Sequence, residues 1–377
     1  MKINEPLTLL GGLTPALFMR SYWQKKPLLI RQAINGFVAP IGRSDLVSLA
    51  ASDEVESRLV ERSTALGETG WKLRHGPFQR RSLPPFNRPG WTLLVQGVDL
   101  LDERVHALRS QFDFIPSARL DDVMVSYATD QGGVGPHFDS YDVFLLQAHG
   151  QRRWQIGRQK NLTLLPDMPL KILADFEPEL ELVLDPGDML YLPPRYAHNG
   201  LAVGECMTYS VGFRSPRRCD LATELLHRIA EAHAPAGTDM LYRDPQQAAT
   251  ARPGEIPEGV FKFASDAVLH ALRDPLAVAR ALGEYLTEPK AMVCFTAQPA
   301  MSLEGGLRLN RCSRMLYDRE HIFINGESFR AGGRDALLMR ELADCGALAA
   351  DSARNLSKSA KALMAGWVDA GWLHVES

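Results

Sequence analysis

His137 and Asp139 stand two residues apart in GGVGPHFDSYDVFLLQ (132–147), and His198 follows at the end of DPGDMLYLPPRYAHNG (185–200). In a strand, residues i and i+2 point to one side, so this spacing predicts His137 and Asp139 as two short ligand arms on one wall. Two imidazole nitrogens and a carboxylate on one face of an octahedral ion form the ligand set of non-haem Fe(II) oxygenases, which leaves positions open for co-substrate and oxygen. An H-x-D pair alone is a weak signal, and His198 is what makes it specific. Pro186-Gly187-Asp188 reads as a turn, DMLYLP as a strand returning beside the first, and Pro193-Pro194 as a stiff exit that delivers His198 to a barrel mouth. The remaining histidines have no such setting and read as surface or satisfied core groups.

A second group of side chains belongs to the same chemistry. In GQRRWQIG, Arg152, Trp154 and Ile156 share one strand face, and Arg153 and Gln155 the other. Trp154 and Ile156 read as core, which makes Arg152 the inward arginine. A buried guanidinium needs an anion, either an internal aspartate or a bound carboxylate gripped by two parallel hydrogen bonds. Ser126, in DVMVSYA, is on these grounds an ordinary strand serine. Asp130, Asp142, Tyr127 and Tyr141 lie close in sequence to this group, and each has an equally good structural reading.

The elements that must position these residues are legible as texture. Residues 1–215 carry short strand-like runs separated by Gly, Pro, Asn and Asp, among them WTLLVQGV (91–98), DVMVSYA (122–128), DVFLLQA (142–148), RRWQIG (152–157), LELVL (180–184) and CMTYSVGF (206–213). That pattern predicts a β-sandwich or barrel rather than a parallel βαβ sheet. A lead-in helix is expected over 14–24, capped by Thr14 with Pro15 in its first turn. Residues 216–295 read as a helical module: CDLATELLHRIAEAHA (219–234), a Pro/Gly-punctuated connector (235–259), and FASDAVLHALRDPLAVARALGEYLTE (263–288), broken at Pro275. The last part, 296–377, has helical runs at 335–345 and 357–372 followed by LHV, which suggests a winged helix.

Bulk properties bound the function. Of 377 residues, 45% are apolar and 23% charged, and the net charge is −3, so no overall basic field points to nucleic acid. Residues 300–377 carry ten Lys/Arg and ten Asp/Glu, so the winged-helix segment lacks the positive face that phosphate contact needs, and a protein-contact role is expected. Five scattered cysteines form no C-x-x-C pair, which argues against a zinc ribbon or a disulfide framework. The N-terminus reads as no signal peptide, and no 18-residue apolar run occurs, so a cytoplasmic protein is expected.

The order H-x-D, then PGDxLYxPP with a distal histidine, resembles the JmjC-type cupins, double-stranded β-helix (jelly-roll) oxygenases that use Fe(II) and 2-oxoglutarate. Where many cupins carry H-x-H, this chain has Asp139, which favours the oxygenase branch. SYWQKKPLLIRQA (21–33), GGVGPHFDSYDVFLLQ, GQRRWQIG and YSVGFRSP (209–216) look like one subgroup, the bacterial ribosomal oxygenases acting on an arginine of ribosomal protein L-sixteen. The resemblance implies a mainly β cupin followed by a helical dimerisation module and a winged-helix tail, and a homodimer. It also implies His137, Asp139 and His198 as Fe(II) ligands and Arg152 and Ser126 as holders of 2-oxoglutarate, with O2 consumed. The reaction would be hydroxylation at the arginine β-carbon. A relative acting on histidine shares this layout, so that target stays open, as do a metal cupin of another reaction class and a non-catalytic assembly protein.

Overall fold

The computed structural model describes residues 2–63, 70–232, 240–297 and 305–376. The end of the helix expected at 219–234 and the first residues of the connector fall outside them. The chain divides into two compact units, Met1–Ser215 and Pro216–Ser377.

The first unit is built on nine strands: β1 (Leu28–Ile30), β2 (Ser57–Ser63), β3 (Gly70–His75), β4 (Trp91–Val95), β5 (Leu120–Ala128), β6 (Val143–Gly157), β7 (Leu180–Leu184), β8 (Met189–Leu192) and β9 (Ala197–Phe213). They pair antiparallel in the order β1-β8-β6-β9-β5-β4-β2-β3, with β7 also on β6. The helices are α1 (Pro15–Ser21), α2 (Arg43–Leu49), α3 (Val98–Leu101) and α4 (Glu103–Arg109). Thr14 caps α1 by accepting from the Leu17 N–H at 3.1 Å, and Pro15 opens its first turn, as the local residues predict.

Alternation along these strands sorts two burial fields. Leu93, Val125, Phe144, Tyr209 and Val211 face the large core shared with the N-terminal helices. Their neighbours Leu94, Ser126, Leu145, Thr208 and Ser210 line a cavity on the opposite face. Both faces are therefore covered, which is why these runs read as nearly continuous hydrophobic stretches rather than as clean alternation.

The runs at 142–148 and 152–157, expected as separate strands, form one strand. β6 pairs with β8 over 143–146 and with β7 over 152–156, and β9 runs alongside both halves. Between the halves the β6–β9 register shifts around His149. Gly150 sits in this break at φ +59°, where an added Cβ would lie 2.1 Å from the Glu205 carbonyl, so the position demands glycine.

The second unit contains α5 (Arg218–Ala232), α6 (Glu258–Ala271), α7 (Ala277–Thr287), β10 (Gly306–Leu309), β11 (Met315–Tyr317), β12 (His321–Ile324), β13 (Glu327–Arg330), α8 (Gly333–Cys345), β14 (Ala347–Leu348), α9 (Ala350–Arg354), α10 (Lys358–Asp369) and β15 (Leu373–Glu376). Its main core joins Leu307, Ile322, Ile324, Met339, Leu342, Met364, Trp367 and Leu373 across the small sheets and the last helices. Ile229 of α5 packs on Ala277 and Ala281 of α7, and Gly283 of α7 takes the Phe323 ring of β12. Thus α7 serves both the helical segment and the C-terminal sheet.

Candidate metal centre

His198 lies near the start of β9, opposite Ile156 of β6, and is 3% exposed. His137 is not on a strand of its own. It makes an isolated bridge to His198, each N–H donating to the other residue's carbonyl, at 3.0 and 2.8 Å. Asp139 follows on the adjoining irregular stretch, where its carbonyl accepts from the Arg195 N–H at 2.7 Å. A backbone clamp, rather than strand alternation, thus brings the pair beside the distal histidine. The three side chains offer ligand atoms within 4.8 Å of one another, the Asp139 Oδ2 lying 3.7 Å from His198 Nε2.

Protonation is arranged to suit a cation. His137 Nδ1 lies 2.9 Å from the Gly135 carbonyl and His198 Nδ1 lies 3.0 Å from the Tyr196 carbonyl. A carbonyl only accepts, so each neutral ring carries its proton on Nδ1 and presents the Nε2 lone pair. Burial, aided by the His137 ring and opposed by Asp139, pushes His198 down to about 4, so it is neutral at physiological pH.

Behind this group is a cavity of about 220 Å³ whose wall includes Arg152, Trp154, Ser126 and Thr208. Arg152 is 3% exposed. One NH2 donates to the Gly200 carbonyl at 3.1 Å, and its Nε is buried without a hydrogen-bond partner. The guanidinium carbon stands 4.9 Å from the Trp154 ring centroid. Burial works against its charge, and the nearby Cys206 thiol only partly offsets this. An orphaned donor on a buried cation, inside a cavity that also holds a facial ligand group, suits a metal-bound ligand with a second carboxylate. Ser126 is buried on the same wall, with its hydroxyl 3.4 Å from the Thr208 carbonyl.

Gly200 makes this packing possible. A Cβ there would stand 2.6 Å from both Arg152 Nε and a Trp154 ring carbon. Gly200→Ala is therefore expected to cost about 1–3 kcal/mol of stability, the usual penalty of overpacking, and to displace Arg152. Thermal melting checks the first effect and carboxylate titration the second.

Three of the four residues with a possible place at the mouth lie elsewhere. Asp142 is fully buried, accepting from Tyr191 Oη at 2.6 Å, Gln24 Nε2 at 3.0 Å and Arg119 at 3.3 Å, so it ties the N-terminal segment to β8. Tyr127 points into the main core and reaches Glu205 with its hydroxyl. Asp130 accepts from the Gly204 N–H in a surface turn. Only Tyr141 of the four lines the cavity. Asp121 and Asp122 also line it, at the start of β5 in a register irregularity between Leu120 and Val123 that strand alternation in the sequence does not reveal.

The chain is similar to known proteins over nearly its whole length. Residues 107–221 match the JmjC domain family, and residues 270–374 match the ROXA-like winged helix. The ribosomal protein uL16 3-hydroxylase of Escherichia coli K12 is 32% identical over 332 residues, covering 85% of this chain and 86% of that protein. A probable ribosomal oxygenase of Haemophilus influenzae is 38% identical over 212 residues, 55% of this chain and 52% of the relative. Among solved structures, E. coli ycfD superposes with a TM-score of 0.81 at 29% identity, covering 97% of this chain and 98% of its own. A structure of the same E. coli ribosomal oxygenase in complex with cobalt and 2-oxoglutarate gives 0.79 over 97% and 99%.

Proposed function

The chain belongs to the JmjC ribosomal oxygenases, and from that premise we propose that it hydroxylates an arginine of ribosomal protein uL16 (L-sixteen), with His137, Asp139 and His198 as its metal ligands. It is an Fe(II)- and 2-oxoglutarate-dependent oxygenase of ribosomal protein, with a cupin fold followed by a winged helix. The observation that carries the residue assignment is the meeting, in one cavity, of a two-histidine, one-carboxylate group and a buried arginine with an orphaned donor.

When bound, the metal with 2-oxoglutarate and O2 supplies the oxidising power: one oxygen atom goes to the substrate C–H, the other into succinate, and CO2 leaves. The chain's own residues bind and orient. Both Nδ1 protons are held on carbonyls, which leaves both Nε2 lone pairs free to hold a cation. Arg152 and Ser126 would take the distal carboxylate of 2-oxoglutarate, and Trp154 and Leu145, on the same cavity wall, would help exclude water from it. Asp121, 3.7 Å from Arg214, and Tyr141 on the wall suit a guanidinium better than an imidazole, which favours arginine over histidine as the target, whereas the Asp122 carboxylate is taken up by the Gly97 N–H at 3.1 Å. Arg58 and Lys171 share that wall, with Arg58 engaged by Gln96 at 3.2 Å.

We place the catalytic unit at 1–215, a helical dimerisation module at 216–295 and the winged helix at 296–377, with α7 of the module packed on both α5 and β12. The dimer partner is a second copy. α6 has no buried residue, and it and its C-terminal cap expose Phe261, Val268 and Leu272, which at i, i+7 and i+11 form one apolar stripe. Phe261→Asp is expected to convert the dimer to a monomer in light scattering. A dimer that survives the change would move the interface elsewhere. No helix among the described residues is long and apolar enough to cross a membrane. We place the protein in the cytoplasm with its ribosomal substrate, without direct nucleic-acid contact.

The test of the whole reading is mass spectrometry of under-modified ribosomal proteins after incubation with enzyme, Fe(II), 2-oxoglutarate and O2. A one-oxygen gain on an arginine of uL16 is expected. A gain on a histidine of another ribosomal protein would move the target, and no gain with 2-oxoglutarate untouched would overturn the proposal.

A further inference from the structure

Arg152 faces the cavity because β6 changes side along its length. Before the break, odd-numbered Val143 and Leu145 line the cavity while even-numbered Phe144, Leu146 and Ala148 enter the main core. After it, even-numbered Arg152 and Trp154 line the cavity, and Trp154 and Ile156 share one buried cluster with Val143 and Leu145. The pairing records the same slip: Gln147 stands opposite Thr208, His149 opposite Met207, and Arg152 opposite Ala202. A one-residue shift inverts every side chain beyond it. Without this slip Arg152 would point to the other face and Arg153 would point inward.

One side chain spans the break. Gln147 is fully buried, and its Nε2 donates to the carbonyls of both His149, at 2.8 Å, and Gly150, at 3.0 Å. Its Oε1 accepts from Thr208 Oγ1 on β9 at 3.1 Å. Its backbone meets the turn between β7 and β8: its N–H donates to the Asp188 carbonyl and its carbonyl accepts from the Gly187 N–H, both at 2.9 Å. The amide thus holds the carbonyls of the two residues at the register slip, tied to a threonine that itself lines the cavity.

The geometry points to Gln147 as a positioning residue for 2-oxoglutarate: its amide locks the β6 register slip and so sets Arg152 into the cavity. This rests on the reading of Arg152 as the carboxylate holder. The metal group hangs from the His137–His198 bridge, away from the slip, so the two binding functions are separable.

The test is equilibrium titration of full-length protein, first with Mn(II) alone and then with 2-oxoglutarate on the Mn(II)-loaded protein, for wild type, Gln147→Met, Arg152→Met and the double variant. Methionine keeps the length of glutamine and removes its donors. Gln147→Met is expected to weaken 2-oxoglutarate about tenfold or more, because the slip shifts to relieve the unpaired carbonyls and carries Arg152 out of place, with Mn(II) affinity unchanged within about twofold. The double variant is expected to bind no worse than Arg152→Met, because the glutamine acts through the arginine. Undiminished 2-oxoglutarate binding in Gln147→Met, with Arg152→Met impaired, would overturn the positioning role. A parallel fall in Mn(II) affinity would also overturn it, by showing general disruption. If Arg152→Met itself binds normally, the carboxylate reading fails first and takes this inference with it. Should Gln147→Met fail to fold, Gln147→Leu, apolar and without the donors, makes the same comparison.

Discussion

An Asp139→Ala variant is expected to lose metal binding and hydroxylation together while folding normally. Asp139 supplies the only carboxylate of the three-residue group, and two imidazoles alone leave the ion short of charge and of one facial position. Removing even an outer-shell partner typically costs 10–100-fold in metal affinity, so loss of a ligand is expected to exceed about 10²-fold. The fold has little at stake in this side chain. It is 22% exposed, and the structural work of its loop is done by the backbone, through the Arg195 N–H and the paired peptides of His137 and His198. Mn(II) titration and thermal melting separate the two effects. Full Mn(II) affinity in the variant would remove Asp139 from the ligand set.

Arg152→Met is expected to act in opposite directions on the free and the liganded protein. With 2-oxoglutarate, the variant forfeits charge-assisted hydrogen bonds worth about 1.5–3 kcal/mol each. At about 1.4 kcal/mol per tenfold, binding should weaken by about 10²-fold. Without it, the wild-type protein carries a buried cation with one donor unsatisfied, and an apolar side chain of similar length relieves that cost. The variant is therefore expected to melt no lower than wild type alone, yet to gain far less on adding 2-oxoglutarate to the metal-loaded protein. A stabilisation equal to that of wild type would place the carboxylate elsewhere, and Ser126 would then need to be tested alone.

Much of this is legible from residue types. The H-x-D spacing, the PGD turn and the Pro-Pro exit before His198 are local signals, and each acts over a handful of residues. The same holds for Thr14 capping α1, for Pro275 separating α6 from α7, and for Ser357 capping α10 by accepting from the Ala360 N–H. Shared faces within a strand segment are also local, which is why spacing alone groups Arg152, Trp154 and Ile156. Sequence proximity misleads where side-chain direction matters. Asp142 and Tyr127 are near the site in number, yet one turns to Gln24 and Arg119 and the other into the main core.

Tertiary structure alone decided the rest. That 142–148 and 152–157 are one strand, and that its cavity-facing side switches from odd to even residues, follows from pairing with β7, β8 and β9, none of it visible within β6. His137 reaches His198 through two reciprocal peptide hydrogen bonds rather than through strand alternation. Asp121 and Asp122 become wall residues through the register irregularity between Leu120 and Val123 where β5 pairs with β9. Periodicity, turns and caps are set by neighbours a few residues apart, so the chain declares them itself. Which face of a strand meets a cavity depends on register with distant partners, such as Gln147 with Thr208, and only the folded sheet fixes that sign.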